Sequence, residues 1–306
     1  MSIDDLFGDP NRVVVLDGGM GQELIHRGAC EANPIWSAKA LIDNPDMVGD
    51  LHSDFIAAGA DVIITNTYST TPHRFAEYVE GDRLSEIVGR AVHQAQRARL
   101  GANREVLIAG SLPPTRGSYM ADRVAPYDVL VPEYRTLVDL LAPHVDLFIC
   151  ETMTTLEEAR AAFDSASPTG KPVWVGWTLE NHGPETLIDG TPFTDAVAAI
   201  DADAYLINCT SPEMVEAALP RLIAATNKPV GAYSNAFVRI PDGWSLQSGD
   251  HLPEVRDDLG PEAFSAHVRR CVDLGARIVG GCCEIGPAEI ARMTRDLRLA
   301  AGSAVD

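Results

Sequence analysis

The sequence predicts a single-domain (β/α)8 barrel, the TIM-barrel class, spanning residues 1–306. Three observations carry that expectation. Eight short apolar, β-branched runs alternate with longer helix-like stretches. The runs are nearly continuous in apolar residues, as parallel strands covered on both faces are. Polar and reactive residues gather directly after six of the eight runs, where barrels of this class build their sites. An open, doubly wound sheet is the alternative. Against it, Asp17-Gly18-Gly19-Met20-Gly21 after the first run lacks the spacing of a G-x-G-x-x-G dinucleotide fingerprint.

The elements follow in order. The first strand, 13–16, leads into Asp17, Gly18, Gly19 and Met20. A helix over 45–58 carries Met47, Val48, Leu51, Phe55 and Ile56 at helical spacing. The second strand, 61–64, is followed by Thr65, Asn66, Thr67 and Tyr68. A helix over 83–100 is rich in Ala and Arg and stops at Gly101. The third strand, 106–109, opens a long loop over 111–132. The fourth, 146–150, is followed by Glu151 and Thr152, then by a helix over 155–163 whose first turn holds Glu157 and Glu158. The fifth strand is 173–177. The sixth, 204–208, ends at Asn208 before Cys209, and Ser211-Pro212 then caps and opens a helix over 213–225. The seventh, 229–232, runs into Tyr233 and a second long loop, 234–260. A helix over 261–274 leads to the eighth strand, 277–280, then Gly281, Cys282, Cys283 and a helix over 287–297. Both long loops leave the C-terminal face, where such loops act as lids or substrate walls.

Charge and composition exclude other functions. Lys plus Arg is 24 and Asp plus Glu is 44, a net charge of −20. That balance repels phosphate backbones and anionic membranes, and no basic run interrupts it, so neither nucleic acid nor membrane is an expected partner. No segment approaches 18 uninterrupted apolar residues. The first five residues are acidic where a signal peptide would be basic, so the protein is expected in the cytoplasm. Six Cys are too few for a disulfide scaffold at this length and read as thiols or metal ligands.

The cysteines carry the sharpest chemistry. Cys282 and Cys283 follow Gly280-Gly281, and Cys209 ends the sixth strand. Strands six and eight of a closed barrel are two spacings apart, about 10 Å, a gap that inward side chains close. Three thiolates with one open position make a catalytic zinc arrangement, and sulfur ligands favour zinc over magnesium or calcium. Buried thiols or a redox pair are the alternative. Cys150 is the rival third ligand, but it should face the wall if Glu151 faces the site. Cys30 and Cys271 read as structural. Asp17 and Glu151 are either a general acid/base pair or a grip on an ammonium group, and Asp17 also suits a turn. The amides of Gly18, Gly19 and Met20 can form a nest for a carboxylate. Trp36 and Tyr68 offer ring faces to a sulfonium or quaternary ammonium methyl group, or simply pack.

Together these residues resemble the homocysteine S-methyltransferase family. The marks are Asp17-Gly18-Gly19, Thr65-Asn66-Thr67-Tyr68, Glu151-Thr152, Asn208-Cys209 and Gly280-Gly281-Cys282-Cys283. They cover essentially the whole chain. Trp36-Ser37-Ala38-Lys39 with Asn44-Pro45, and Asp189-Gly190-Thr191-Pro192, look closer to the S-methylmethionine-using branch than to the betaine or cobalamin branches. The resemblance implies zinc on Cys209, Cys282 and Cys283, with the homocysteine sulfur at the open position. It implies homocysteine contacts from Asp17, Gly18, Gly19, Met20, Glu151, Thr152, Asn208 and Asn66, and methyl-donor contacts from Trp36, Tyr68 and Tyr233. The product is methionine. S-methylmethionine is the favoured donor, with S-adenosylmethionine or dimethylsulfoniopropionate as others, and the protein is expected as a monomer or homodimer. Betaine-dependent or corrinoid-partner-dependent transfer is the nearest alternative. A zinc or thiol-redox barrel without methyl transfer, or a barrel enzyme using Glu151 as a base, are more distant ones. Thr152 departs from the betaine branch, which resembles this family but carries Tyr there. Segments 112–130 and 241–254 match no branch well.

Overall fold

The eight apolar runs form eight parallel strands in a computed structural model that describes residues 6–9, 12–31, 33–79, 81–179, 183–241, 243–244 and 253–302. They are β1 (Val14–Val15), β2 (Val62–Ile64), β3 (Leu107–Leu112), β4 (Leu147–Met153), β5 (Val173–Trp177), β6 (Ala204–Asn208), β7 (Val230–Ser234) and β8 (Ile278–Gly281). Their order is β1-β8-β7-β6-β5-β4-β3-β2. The two ends of that series meet. Leu16 bridges Val62 in parallel, the Asp61 amide donates to Val15 O at 2.7 Å and the Asp17 amide to Val62 O at 3.1 Å. The sheet therefore closes into the expected barrel and has no free edge.

Side-chain alternation sets the two cores. Leu16, Leu107, Ala109, Leu147, Ile149, Leu206 and Ile278 fill the barrel interior. Leu6 joins them, and Phe7 packs on Trp174 at 6.1 Å, plugging the end opposite the site. Val15, Ile63, Ile108, Phe148, Cys150, Val175 and Ile207 face outward into the helices. In β4 the same parity sends Leu147, Ile149 and Glu151 inward and Cys150 outward, which removes Cys150 as a third thiol.

The helices among the described residues are α1 (Met20–His26), α2 (Ala38–Asp43), α3 (Pro45–Ala58), α4 (Pro72–Tyr78), α5 (Leu84–Gly101), α6 (Tyr127–Leu141), α7 (Leu156–Ala166), α8 (Phe193–Ala198), α9 (Pro212–Ala225), α10 (Pro261–Leu274) and α11 (Pro287–Gly302). The limits of α3 and α10 match the sequence reading because both open on proline and close on a glycine, Gly59 and Gly275, with φ of 114° and 118°. Two expectations need correction. β3 and β4 each run three residues further than expected and β7 two, so Glu151 and Thr152 lie within β4, and Tyr233 and Ser234 within β7, rather than after them. The loop expected over 111–132 ends earlier, because α6 begins at Tyr127 with Pro132 inside it. No helix among the described residues is long and apolar enough to cross a membrane. The acidic first five residues, and residues 242 and 245–252 of the expected second loop, lie outside the described residues.

Candidate active site

The three cysteines converge because β7 holds the ends of both its neighbours. The Cys209 amide donates to Tyr233 O at 3.1 Å, and the Cys282 amide to Ser234 O at 2.8 Å. The three Sγ atoms lie within 4.8 Å of one another, with Cys209 and Cys283 at 3.6 Å. Tetrahedral zinc with bonds of about 2.3 Å needs sulfurs about 3.8 Å apart, so the set fits such an ion. Glycines make this approach possible. A Cβ on Gly19 would sit 2.5 Å from the Cys282 carbonyl oxygen, and one on Gly281 would sit 2.2 Å from Cγ2 of Ile285. Hydrogen bonds from the Cys282 and Cys283 thiols, then one from Tyr119, hold Cys209 well below its ordinary pKa. Cys282 and Cys283, as the donors, are pushed well above theirs. Within the cluster, ionisation is therefore favoured at Cys209 over its two neighbours.

The carboxylates stand beside the sulfurs. Burial raises Asp17 well above the usual carboxylate range, although its Oδ2 accepts the Ile64 amide at 2.8 Å, and the nearby Glu151 charge raises it further. Burial pushes Glu151 up to about 7, against the pull of its two donors, the Ser111 and Tyr233 hydroxyls. Two buried carboxyls that resist ionisation, close enough to feel each other, are suited to a cation that relieves both. Among the described residues, no basic side chain lines the cavity they share.

That cavity brings together Asp17, Gly18, Gly19, Met20, Trp36, Asn66, Tyr68, Glu151, Thr152, Tyr233 and the three cysteines. Two expectations about these contacts change. The Gly19 amide is spent on Ile285 O at 2.8 Å, so Gly19 lines the cavity but its N–H belongs to the fold and not to an anion nest. Asn208 is fully buried and lies behind the wall. Its Oδ1 accepts the Thr152 amide and its Nδ2 donates to Thr152 Oγ1, both at 2.8 Å. Asn208 therefore holds Thr152, whose φ of 60° is unusual for a β-branched residue.

Sequence reasoning did not single out Tyr119, Trp244, Gln22, Ser111 or Ser118. Tyr119 and Trp244 come from the two long loops and pack ring to ring at 6.1 Å. The Tyr119 hydroxyl donates to Cys209 Sγ at 2.9 Å, and Ser118 Oγ lies 2.6 Å from the Tyr68 hydroxyl. Gln22 is buried in the cavity wall. The one available signal was an aromatic residue inside each loop expected to wall the site. Among the described residues, the non-glycine positions with positive φ are Trp36, Tyr119, Thr152, Cys209 and Glu284. Four line the cavity and the fifth follows Cys283. Backbone strain of this kind gathers at functional sites.

A closed parallel barrel with three metal-competent thiols beside two buried carboxyls, all at the C-terminal mouth, defines a group-transfer barrel enzyme. The chain belongs to the homocysteine S-methyltransferase family, whose model matches residues 14–297. It is an enzyme of the methyltransferase class, acting on homocysteine. The homocysteine S-methyltransferase of Escherichia coli K12 is 33% identical over 309 residues, covering 93% of this chain and 95% of that protein. Homocysteine S-methyltransferase YbgG of Bacillus subtilis is 30% identical over 325 residues, covering 95% and 97%. The metallated crystal form of the homocysteine methyltransferase MmuM from Escherichia coli superposes with a TM-score of 0.78 at 30% identity, covering 93% of this chain and 96% of that one.

Proposed function

We propose that this chain moves a methyl group from a sulfonium donor, S-methylmethionine foremost, to homocysteine, with zinc on Cys209, Cys282 and Cys283. The observation that carries the proposal is three Sγ atoms within 4.8 Å of one another in the cavity that also holds Asp17 and Glu151. The whole chain serves as one homocysteine-binding domain, working in the cytoplasm. A bound zinc supplies a fourth coordination position at which a thiol ionises near neutral pH. Asp17 and Glu151 take the homocysteine ammonium group and fix the reach of its side chain toward the cysteines. The substrate carboxylate lies along Gly18 and Met20. Asn66 contributes from the opposite wall, anchored to Ser37 O at 3.1 Å. Trp36, Tyr68 and Tyr233 give the cationic donor ring faces, a contact worth ~1–2 kcal/mol when dry. The homocysteine sulfur forms the new S–CH3 bond while the sulfonium C–S bond breaks, and the donor leaves as a neutral thioether with the bonding pair. An anion and a cation become two neutral thioethers, so a dry aromatic cavity favours the step. The chain's main contribution is alignment of the two sulfurs and the methyl carbon.

The test is methionine formation by anaerobically purified protein of measured metal content. Homocysteine is offered with S-methylmethionine, S-adenosylmethionine, dimethylsulfoniopropionate and betaine in separate reactions. Turnover with a sulfonium donor at about one zinc per chain is expected. A reduced, zinc-loaded protein inert toward every sulfonium donor would overturn the proposal.

A further inference from the structure

The loop from β3 to α6 delivers one hydroxyl to one sulfur, and it is braced to do so. The Thr115 amide donates to Glu158 Oε1 at 3.1 Å. Arg116 makes two bonds of 2.6 Å to Glu133. Ser118 meets Tyr68. Tyr119 itself has a φ of 65°, a conformation that persists for a ring-bearing residue only when its surroundings impose it. Its hydroxyl lies 2.9 Å from Cys209 Sγ and 3.2 Å from the Cys209 carbonyl oxygen. That carbonyl also accepts from Thr178 Oγ1 at 3.2 Å, and of the two acceptors facing the Tyr119 hydroxyl the sulfur is the nearer.

The reaction described above creates a hazard for Cys209. A cationic methyl donor held over the chain's own sulfurs can be attacked by any of them. Attack by Cys209 would form a Cys209 S–CH3 bond, break the donor's C–S bond and release the donor as a neutral thioether with its electron pair. The product would be a dead thioether in place of a metal ligand. A hydrogen bond donated to a thiolate draws off electron density and makes it a poorer nucleophile.

We propose that Tyr119 protects Cys209 from methylation by the donor, its hydroxyl bond leaving the substrate sulfur the best nucleophile in the cavity. This rests on the sulfonium-donor reading of the site. Tyr119 acts through Cys209 and is a positioning residue.

The experiment compares wild type, Tyr119→Phe and Trp244→Leu. Phe keeps the ring and its contact with Trp244 but lacks the hydroxyl; Leu at 244 loosens the roof but keeps the hydroxyl. Metal-free, reduced protein is treated with limiting iodoacetamide, and the Cys209 and Cys283 peptides are followed by mass spectrometry. Tyr119→Phe should raise the Cys209 rate severalfold relative to Cys283, since about half the strength of one bond to a charged group appears in thiolate nucleophilicity. Trp244→Leu should leave that ratio unchanged. In the zinc-loaded protein with S-methylmethionine and no homocysteine, a methyl mass increment should accumulate on Cys209 in Tyr119→Phe alone. An unchanged ratio in Tyr119→Phe, or an equal rise in Trp244→Leu, overturns the proposal. The alkylation ratio is independent of turnover, so a failure of the donor assignment shows separately, as absent methionine formation in wild type.

Discussion

Burial raises Asp17 and Glu151 alike, and the Glu151 charge adds to the cost of ionising Asp17. Gripping an ammonium group reverses that cost, so homocysteine binding is tied to proton release. With Glu151 at about 7 in the free protein, binding should tighten about fivefold from pH 6 to 7 and only about twofold more from 7 to 8. Glu151→Gln should weaken binding and lower the slope; calorimetry from pH 6 to 8 on both proteins, metal-free so that no thiol ionisation contributes, decides it, and an unchanged slope removes Glu151 from the grip. The cysteines follow the same rule. Cys282 and Cys283 hold their protons at neutral pH, so metal uptake must displace two of them. Zinc affinity, measured against a competing chelator, should rise about a hundredfold from pH 6.5 to 7.5. Cys282→Ala should abolish stoichiometric binding. These residues were legible because a strand end with Asp, Glu or Cys has little structural reason to carry one. Asn208 was misplaced for the opposite reason. Its position beside Cys209 suggested substrate contact, but it is fully buried and spends its amide on Thr152.

At the scale of elements, strands were read from apolar runs and long helices from their caps, and both signals are local. Four of the unread helices, α1, α2, α4 and α8, have only six or seven residues, fewer than two turns, too short to show a helical period. α6 was obscured by Pro132, which normally argues against a helix interior. The extension of β4 could not be read at all, because it depends on a register shift against β5 between Cys150 and Met153. That shift and the left-handed Thr152 are supported by Asn208 from the end of β6. Asn208→Ala removes both bonds and leaves the buried Thr152 amide unpaired, so it should cost ~1–3 kcal/mol in denaturant unfolding. It should also lower kcat, since Glu151 precedes Thr152. Wild-type stability in Asn208→Ala would mean that the strand end is held by other contacts. The Tyr119–Trp244 contact was hidden for a related reason: two loops must cross over the barrel mouth before either ring acquires a neighbour.

For the whole molecule, the question is whether the metal builds the fold or only uses it. The cysteines join the ends of β6 and β8 across β7, three strands that are already paired in continuous register. Barrel closure lies elsewhere, at the β1–β2 seam, and is made by backbone hydrogen bonds and the Leu16–Val62 bridge. Beneath the site, the interior is filled by apolar side chains and plugged by Leu6 and Phe7. None of that structure requires an ion. Binding to the folded state alone still adds stability, ~2.7 kcal/mol when free metal exceeds its Kd a hundredfold. For a chain of this size that amounts to a Tm shift of about 5 °C. Chelation under reducing conditions should therefore lower Tm by about that amount while leaving far-UV circular dichroism at 25 °C unchanged. Cooperative unfolding on chelation would instead mark a structural metal. It would remove the open coordination position on which methyl transfer depends, because a metal that holds the fold together has all its positions filled by the chain.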